Sequence, residues 1–435
     1  MILAAAMLLT FSGRISAQTY TSDTPYSCFG VGDLYTLGGA YNKTMGGVGI
    51  ASRTNRYMNV VNPASLTARD SLAFMADFSL YEDNRYFRQG DVKSASNVLN
   101  VGNLAISFPI TRHSAMMVGL APYSGTGYGY AYSVEDPEII GRTGNISYSA
   151  GGQGGLYQFY AGGAVTFFKR LSLGAQFNYI FGQNEHKYYE TFTESSYNGA
   201  TNGYVLQLRG VSGKFGLQYE QPIGTKGKLT IGATYTMKTK LNGYIEGYKY
   251  STGTAATDTL YHKIDTLGMG SSAALASEKG VGISFRYADK LMVEFDYTRS
   301  DWTDSGMDSV PGFMGNSNPS SSHSAFSTTL SETYRAGFEY TPNRNDVRYY
   351  FRRVSYRAGA FWKNEYYKLD GMNVNTCGIT LGATFPVSMF YNGLSVGMEL
   401  GQRGSLTGNM IRERYVAFSV GINIFDIWFQ QQRYE

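Results

Sequence analysis

Charge is scarce in this chain: Asp, Glu, Lys and Arg make up 16% of its 435 residues, against about a quarter in soluble globular proteins. The formal net charge is only +4 and no basic run accompanies it, so nucleic acid is not an implied partner. Cysteine is nearly missing. Cys28 and Cys377 set no disulfide framework, and neither directly follows an apolar leader, so lipid anchoring is not expected. No internal stretch reaches the roughly 18 consecutive apolar residues that a membrane-spanning helix needs. The four histidines, His113, His186, His262 and His323, match no metal-ligand spacing. Glu185 and Glu190 flank His186, and Asp258 and Asp265 flank His262, but strand spacing puts His262 and Asp265 on opposite faces. No catalytic residue, metal or cofactor is expected, and an enzyme is the disfavoured class.

Glycine and aromatics are abundant instead: 53 Gly, 37 Tyr, and 15% aromatic residues overall. A membrane barrel needs that mixture, because one side of each strand meets lipid and the other meets water. The only sustained apolar run is Met1–Phe11, followed by the small-residue exit Ser16-Ala17. Residues 1–17 read as a signal peptide, and the lack of a basic residue ahead of the run suggests a truncated start.

From Ser71 onward, segments of about ten residues alternate with period two. The clearest is Leu171, Leu173, Ala175, Phe177, Tyr179 and Phe181, interleaved with Ser172, Gly174, Gln176 and Asn178. Such alternation is the strand signal, and no helical period competes with it. Fourteen strands are expected, at about 71–81, 103–109, 115–123, 157–168, 171–183, 203–220, 228–243, 279–288, 291–300, 333–341, 352–363, 375–385, 392–402 and 412–425. The connections alternate between short (Lys169-Arg170, Ala288–Lys290) and long (81–102, 124–156, 182–202, 244–279, 301–332). Short periplasmic turns opposite long external loops mark an outer-membrane barrel, and an even count returns both termini to the periplasm. Pro109, Pro222, Pro342 and Pro386 fall where a strand enters a short turn, where a missing N–H costs no ladder bond. The reading is an all-β fold: a transmembrane antiparallel β-barrel at 71–425, with a periplasmic extension at 426–435. In lipid such a sheet must close, because every backbone group needs an internal partner.

Residues 18–70 do not alternate and are rich in glycine, which suggests a plug filling a lumen otherwise open to water. Asn62 reads as the N-cap and Pro63 as the first position of a short helix to about Ala68. The order Met45-Gly46-Gly47-Val48-Gly49, a polar stretch, then Asn62-Pro63-Ala64 ahead of strand one resembles the N-terminal hatch of FadL-type outer-membrane transporters of long-chain fatty acids and hydrophobic compounds. The resemblance covers the whole chain in architecture, but only residues 40–70 in motif. It implies a hydrophobic small-molecule ligand, and a sideways exit to the membrane lipid at a kink in the third strand. Pro122, Gly125 and Gly127 are the candidates for that kink, although Pro122 equally suits a strand end.

A carboxylate ligand would ask for a luminal cation, and Arg209, Lys214, Arg286, Arg335, Arg353 and Arg357 are all plausible inward positions. None is singled out. The run Gly151-Gly152-Gln153-Gly154-Gly155 lacks the Lys-Ser/Thr and helix of a phosphate loop and reads as a flexible loop. Uptake of a hydrophobic compound gated by the plug is the first functional expectation. The second is a non-transporting subunit of a larger outer-membrane assembly, with other outer-membrane proteins as partners.

Overall fold

The computed structural model describes residues 22–70, 72–134, 136–194, 196–252, 257–267, 272–315, 326–387, 393–408 and 410–427. The expected signal peptide and most of the expected C-terminal extension lie outside these residues.

Sixteen strands carry the architecture: β1 (Ala73–Gln89), β2 (Val92–Thr111), β3 (Ser114–Ser133), β4 (Ile146–Phe167), β5 (Leu171–Phe192), β6 (Gly199–Ile223), β7 (Gly227–Thr236), β8 (Asn242–Thr252), β9 (Thr257–Leu267), β10 (Glu278–Tyr287), β11 (Leu291–Asp301), β12 (Leu330–Tyr340), β13 (Ser355–Leu369), β14 (Met372–Pro386), β15 (Gly393–Arg403) and β16 (Arg412–Ile427). Fourteen of them, β1–β7 and β10–β16, form a closed antiparallel ring in which β16 pairs with β1. The hairpin β8–β9 rides on the far half of β6. Closure leaves the ring no edge at its seam, as a wall in lipid requires.

The polarity of the wall is inverted relative to a soluble domain. On β5, Leu173, Phe177 and Tyr179 are exposed, whereas Ser172, Gln176 and Asn178 are buried. The same parity holds on β10, where Val281, Ile283, Phe285 and Tyr287 point out. Two aromatic rows edge this apolar band. Tyr287 and Leu291 lead in register to Tyr340 and Tyr356 at the short-turn end, and Tyr297, Tyr334 and Trp362 pair in register at the other. Five residues of β12 separate the rows, about 20 Å along the strand. Among the described residues no helix is long and apolar enough to cross a membrane. The expected barrel of fourteen strands is the fold observed.

The strands at the long-loop end run farther than expected. Residues 81–102 form not a loop but a hairpin of β1 and β2 turning at Gly90-Asp91, and most of 124–156 and 182–202 continues β3–β6. Period-two alternation fades there because neither face meets lipid, yet an antiparallel ladder persists in water. Gly151–Gly155 is likewise strand, not flexible loop. A Cβ on Gly152 would meet the Tyr128 ring, so this glycine lets a cross-strand tyrosine lie flat on the backbone.

Candidate functional site

Residues 22–70 lie against the inward-facing side of the ring, and two parts of this segment are held by different chemistry. The lower part, residues 40–70, meets inward positions of the wall that carry no side chain. A Cβ on Gly337 would sit 2.6 Å from Val48 Cγ2 and 2.7 Å from the Met45 carbonyl. Gly359, its partner in register, is pressed against Met45 and Gly46, and Gly174 and Gly216 against Pro63 and Ala64. Backbone-to-wall hydrogen bonds use this closeness. Gly46 N–H donates to Thr380 Oγ1 (2.8 Å), Gly49 and Ile50 N–H to Asp296 Oδ2 (2.7 and 2.9 Å), and Ala51 N–H to Glu294 Oε1 (2.9 Å). Gln218 and Asn62 both donate to the Ile50 carbonyl.

Gly46 and Gly47 adopt φ of +69° and +79°, a left-handed pair natural to glycine. They turn the chain between the wall glycines and Arg335. Asn62 caps a 3-10 helix, Pro63–Thr67, by accepting from Ala64 N–H at 3.0 Å. The helix is 3-10 rather than α, and Ala68 leaves helical geometry to enter the barrel. The seven hatch residues singled out in sequence therefore all lie on this lower part.

The upper part, residues 22–37, is held by an ion-paired network as well as by backbone pairing. Asp33 accepts from Arg403 Nη2 at 2.7 Å and lies 3.4 Å from Arg85 Nη2. Arg85 also reaches Glu413 (2.8 Å) and Asp83 (2.7 Å), and Arg403 approaches Glu365 (3.5 Å), which meets Lys363 at 2.6 Å. Thr24 donates to Glu413 in a short hydrogen bond. Below them Lys43 sits 3.8 Å over the Tyr81 ring; burial pulls its ammonium down to about 8, against the opposing pull of Glu399 and Asp83. Two luminal cavities of about 160 and 170 Å³ open beside this network, both with charged side chains in their walls. Nearer the long loops the lumen turns apolar. Tyr26 and Val31 pack with Leu156, Ile180, Trp302 and Phe313 in one buried cluster.

The wall itself changes character beside this upper part. The β2–β3 ladder runs from Thr111↔Ser114 to Leu104↔Leu120 and stops. Residues 121–133 continue as strand paired with β4, with Pro122 opposite Tyr157 and a bulge at Tyr123, but no longer pair with β2. The N-terminal segment takes the vacated edge. Asp33 and Leu34 pair with Gly125 and Ser124, Thr24 N–H donates to Gly127 O (2.8 Å), and Tyr35 N–H donates to Tyr123 O (3.0 Å). Ser96 of β2 donates to the Asp23 carbonyl at 3.2 Å, so residues 23–24 lie between the two parted strands. Pro122 does not end the strand. Tyr160 braces the last intact step from within: it lies over Gly119 and donates to Asn103 at 2.7 Å.

Of the cations weighed in sequence, Lys214, Arg286 and Arg357 are buried inward, and Arg335 lines both luminal cavities. Arg209 is exposed on the outer face, and Arg353 stacks on Tyr350 beside a short turn. The two arginines that grip Asp33, Arg85 and Arg403, were missed. The available signal was parity: Arg403 shares the inward register of β15 with Glu399 and Gly401. His262 does find an acid, Glu246, at 2.8 Å across the β8–β9 hairpin, but the pair is open to solvent.

A family model described as BamG matches residues 1–435. No curated protein matches the chain. Among solved structures, the toluene transporter TodX of Pseudomonas putida is 15% identical, covering 91% of this chain and 100% of its own at a TM-score of 0.57. The toluene transporter TbuX of Ralstonia pickettii is 14% identical, covering 89% and 98% at 0.56. A FadL homologue of Pseudomonas aeruginosa is 11% identical, covering 90% and 99% at 0.53. At such identities the likeness is one of fold.

Proposed function

This chain belongs to the BamG family, and from that premise and its barrel we propose that it admits small hydrophobic molecules into the outer membrane, with the N-terminal segment as gate. The observation that carries the reading is the parting of β2 from β3 above Leu104↔Leu120, with residues 23–24 lodged in the gap. A ladder interrupted in the wall is costly in lipid unless something covers the freed groups. Here the cover is a segment held by side chains and short pairings, which can leave without unfolding the barrel. An apolar molecule entering at the long loops would first meet the Tyr26–Val31–Trp302–Phe313 cluster. It would then leave sideways past Pro122, Gly125 and Gly127, without crossing the charged layer at Asp33, Arg85 and Arg403. Met45, Gly46, Gly47, Gly49, Asn62, Pro63 and Ala64 serve in this reading as the fixed floor. The fold shared with transporters of toluene supports it. In this orientation both termini face the periplasm.

The test is a reversible lock. In a Cys28→Ser, Cys377→Ser background, Asp23→Cys with Ser96→Cys ties the segment to β2. Uptake of toluene and of oleate into proteoliposomes should stop on oxidation and return on reduction. Equal uptake in both states, above empty liposomes, would overturn the gate.

One observation favours a second reading, a fixed subunit of an outer-membrane assembly. The lumen is closed by packing: Val31, Met45, Leu156, Leu206 and Phe313 are at most 1% exposed, and the layer below is ion-paired. A barrel closed in this way serves as scaffold. Absence of uptake in both redox states, together with a stoichiometric protein partner after mild extraction, would select this reading.

A further inference from the structure

The outer face of the barrel carries a groove that the luminal argument does not use. It runs across β13–β16, β1 and β2 as a shallow, open depression of about 1200 Å³. The cross-strand register defines its two levels. Ala360, Ile379, Leu400, Val416, Asn84 and Asn97 follow one another in one row, and Cys377, Gln402, Arg414, Tyr86 and Ala95 in the next. The second row continues in register from Tyr297, Tyr334 and Trp362 and climbs as it goes: Trp362 lies seven residues from the short-turn end of β13, and Ala95 sixteen from that of β2. Where neighbouring strands project large rings, Ala360, Cys377 and Ala95 project little, and this makes the depression. Its floor at Ile379, Leu400 and Val416 is apolar, and its far end, at Asn84, Asn97 and Arg414, is polar.

One ladder step beyond Tyr86 and Ala95 stand Arg88, Lys93 and Arg412, facing each other in register on the same outer side. With Arg414 they place four cations at the polar end of the groove. None of the four is in an ion pair among the described residues, and Arg88 Nε donates only to the Gly90 carbonyl at 3.0 Å. The nearby acids are Asp91 in the hairpin turn and Glu82, which accepts from Asn97 at 2.7 Å. Clustered like charges on a face that leaves the membrane repel one another unless an anion joins them. An apolar trough that ends under four cations has the two-part polarity of a lipid whose headgroup carries phosphate.

We propose that this groove binds a phosphate-bearing lipid of the leaflet at the long-loop end, its acyl chain over Ile379, Leu400 and Val416 and its phosphate among Arg88, Lys93, Arg412 and Arg414. The inference is independent of whether the barrel transports anything, since no groove residue belongs to the segment at 22–37.

Native mass spectrometry of the full chain in dodecyl maltoside supplies the test. The probes are bisphosphorylated lipid A, the same lipid A stripped of phosphate, and dioleoyl phosphatidylglycerol. The wild type should retain bisphosphorylated lipid A over the stripped form by at least tenfold. Arg88→Gln with Arg412→Gln should weaken that binding by roughly 25-fold, about fivefold for each cation removed. Cys377→Trp, which fills the trough and leaves every charge in place, should weaken both forms of lipid A alike. Heat-modifiable migration of each variant confirms that the barrel is intact. Equal retention of phosphorylated and stripped lipid, or unchanged binding in the charge variants, would overturn the proposal, as would a protein bound stoichiometrically over the groove. Preference for phosphatidylglycerol over lipid A keeps the phosphate recognition and overturns the assignment to the lipid of that leaflet.

Discussion

The two parts of the N-terminal segment occupy one lumen yet are seated differently. Residues 40–70 press their backbone against wall glycines, and their N–H groups end on the Asp296, Glu294 and Thr380 side chains. Residues 22–37 bring side chains: Asp33 between two arginines, Thr24 on Glu413, and Tyr26 and Val31 in an apolar cluster. Backbone seated on glycine has no rotamer through which to yield. The ions of a salt bridge can each be hydrated once the segment moves. In the proposed reading the lower part stays and the upper part is exchanged, and each variant below attacks one side of that contrast.

The largest effect is expected at the glycine floor. Gly337→Val forces a side chain into Val48 and the Met45 carbonyl, and overpacking of this kind costs about 3 kcal/mol or more where nothing can shift. The barrel should lose its heat-resistant migration at a lower temperature, and a wild-type melting profile would show that the floor is not seated as described. Asp296→Ala comes next. It leaves the Gly49 and Ile50 N–H groups without their acceptor, at about 1–3 kcal/mol each, and should also lower the melting temperature.

Asp33→Ala should separate the two parts cleanly. Arg85 keeps Glu413 and Arg403 keeps Glu365, so neither charge is stranded, but Arg403 Nη2 loses its acceptor and the barrel should lose only about 1–3 kcal/mol. Protease added at the long-loop side should nonetheless cut within 22–37 faster than in wild type, and single-channel current should rise. An unchanged cleavage rate would mean the ion pairs do not hold this part. The smallest effect is expected for Pro122→Ala. Residues 23–24 lie in the gap and Pro122 already pairs with Tyr157, so restoring an N–H should change stability by less than about 1 kcal/mol and leave the current at its wild-type level. A sealed β2–β3 ladder in that variant would make the proline the cause of the parting.

Alternation made the wall legible, because lipid on one side and water on the other impose a parity that each strand displays alone. Leu171–Phe181 shows it in eleven residues, and the count of fourteen strands followed. The same logic failed beyond the apolar band, where Gly151–Gly155 and 81–102 are strand without a lipid face to mark them. The segment ahead of the barrel was legible as a composition, from its glycines and the Asn62-Pro63 helix start. The grip on Asp33 was not, because Arg85 and Arg403 come from strands more than 300 residues apart.

Period-two chemistry in the chain thus suffices for a closed barrel with an unpatterned, glycine-rich segment ahead of it, since each strand answers only to its own two surroundings. Which stretches of that segment rest on glycine, which hang on arginine, and where β2 parts from β3 depend on side chains that meet across the lumen. Those meetings follow from the register of fourteen paired strands, a property of the closed ring and of no strand in isolation.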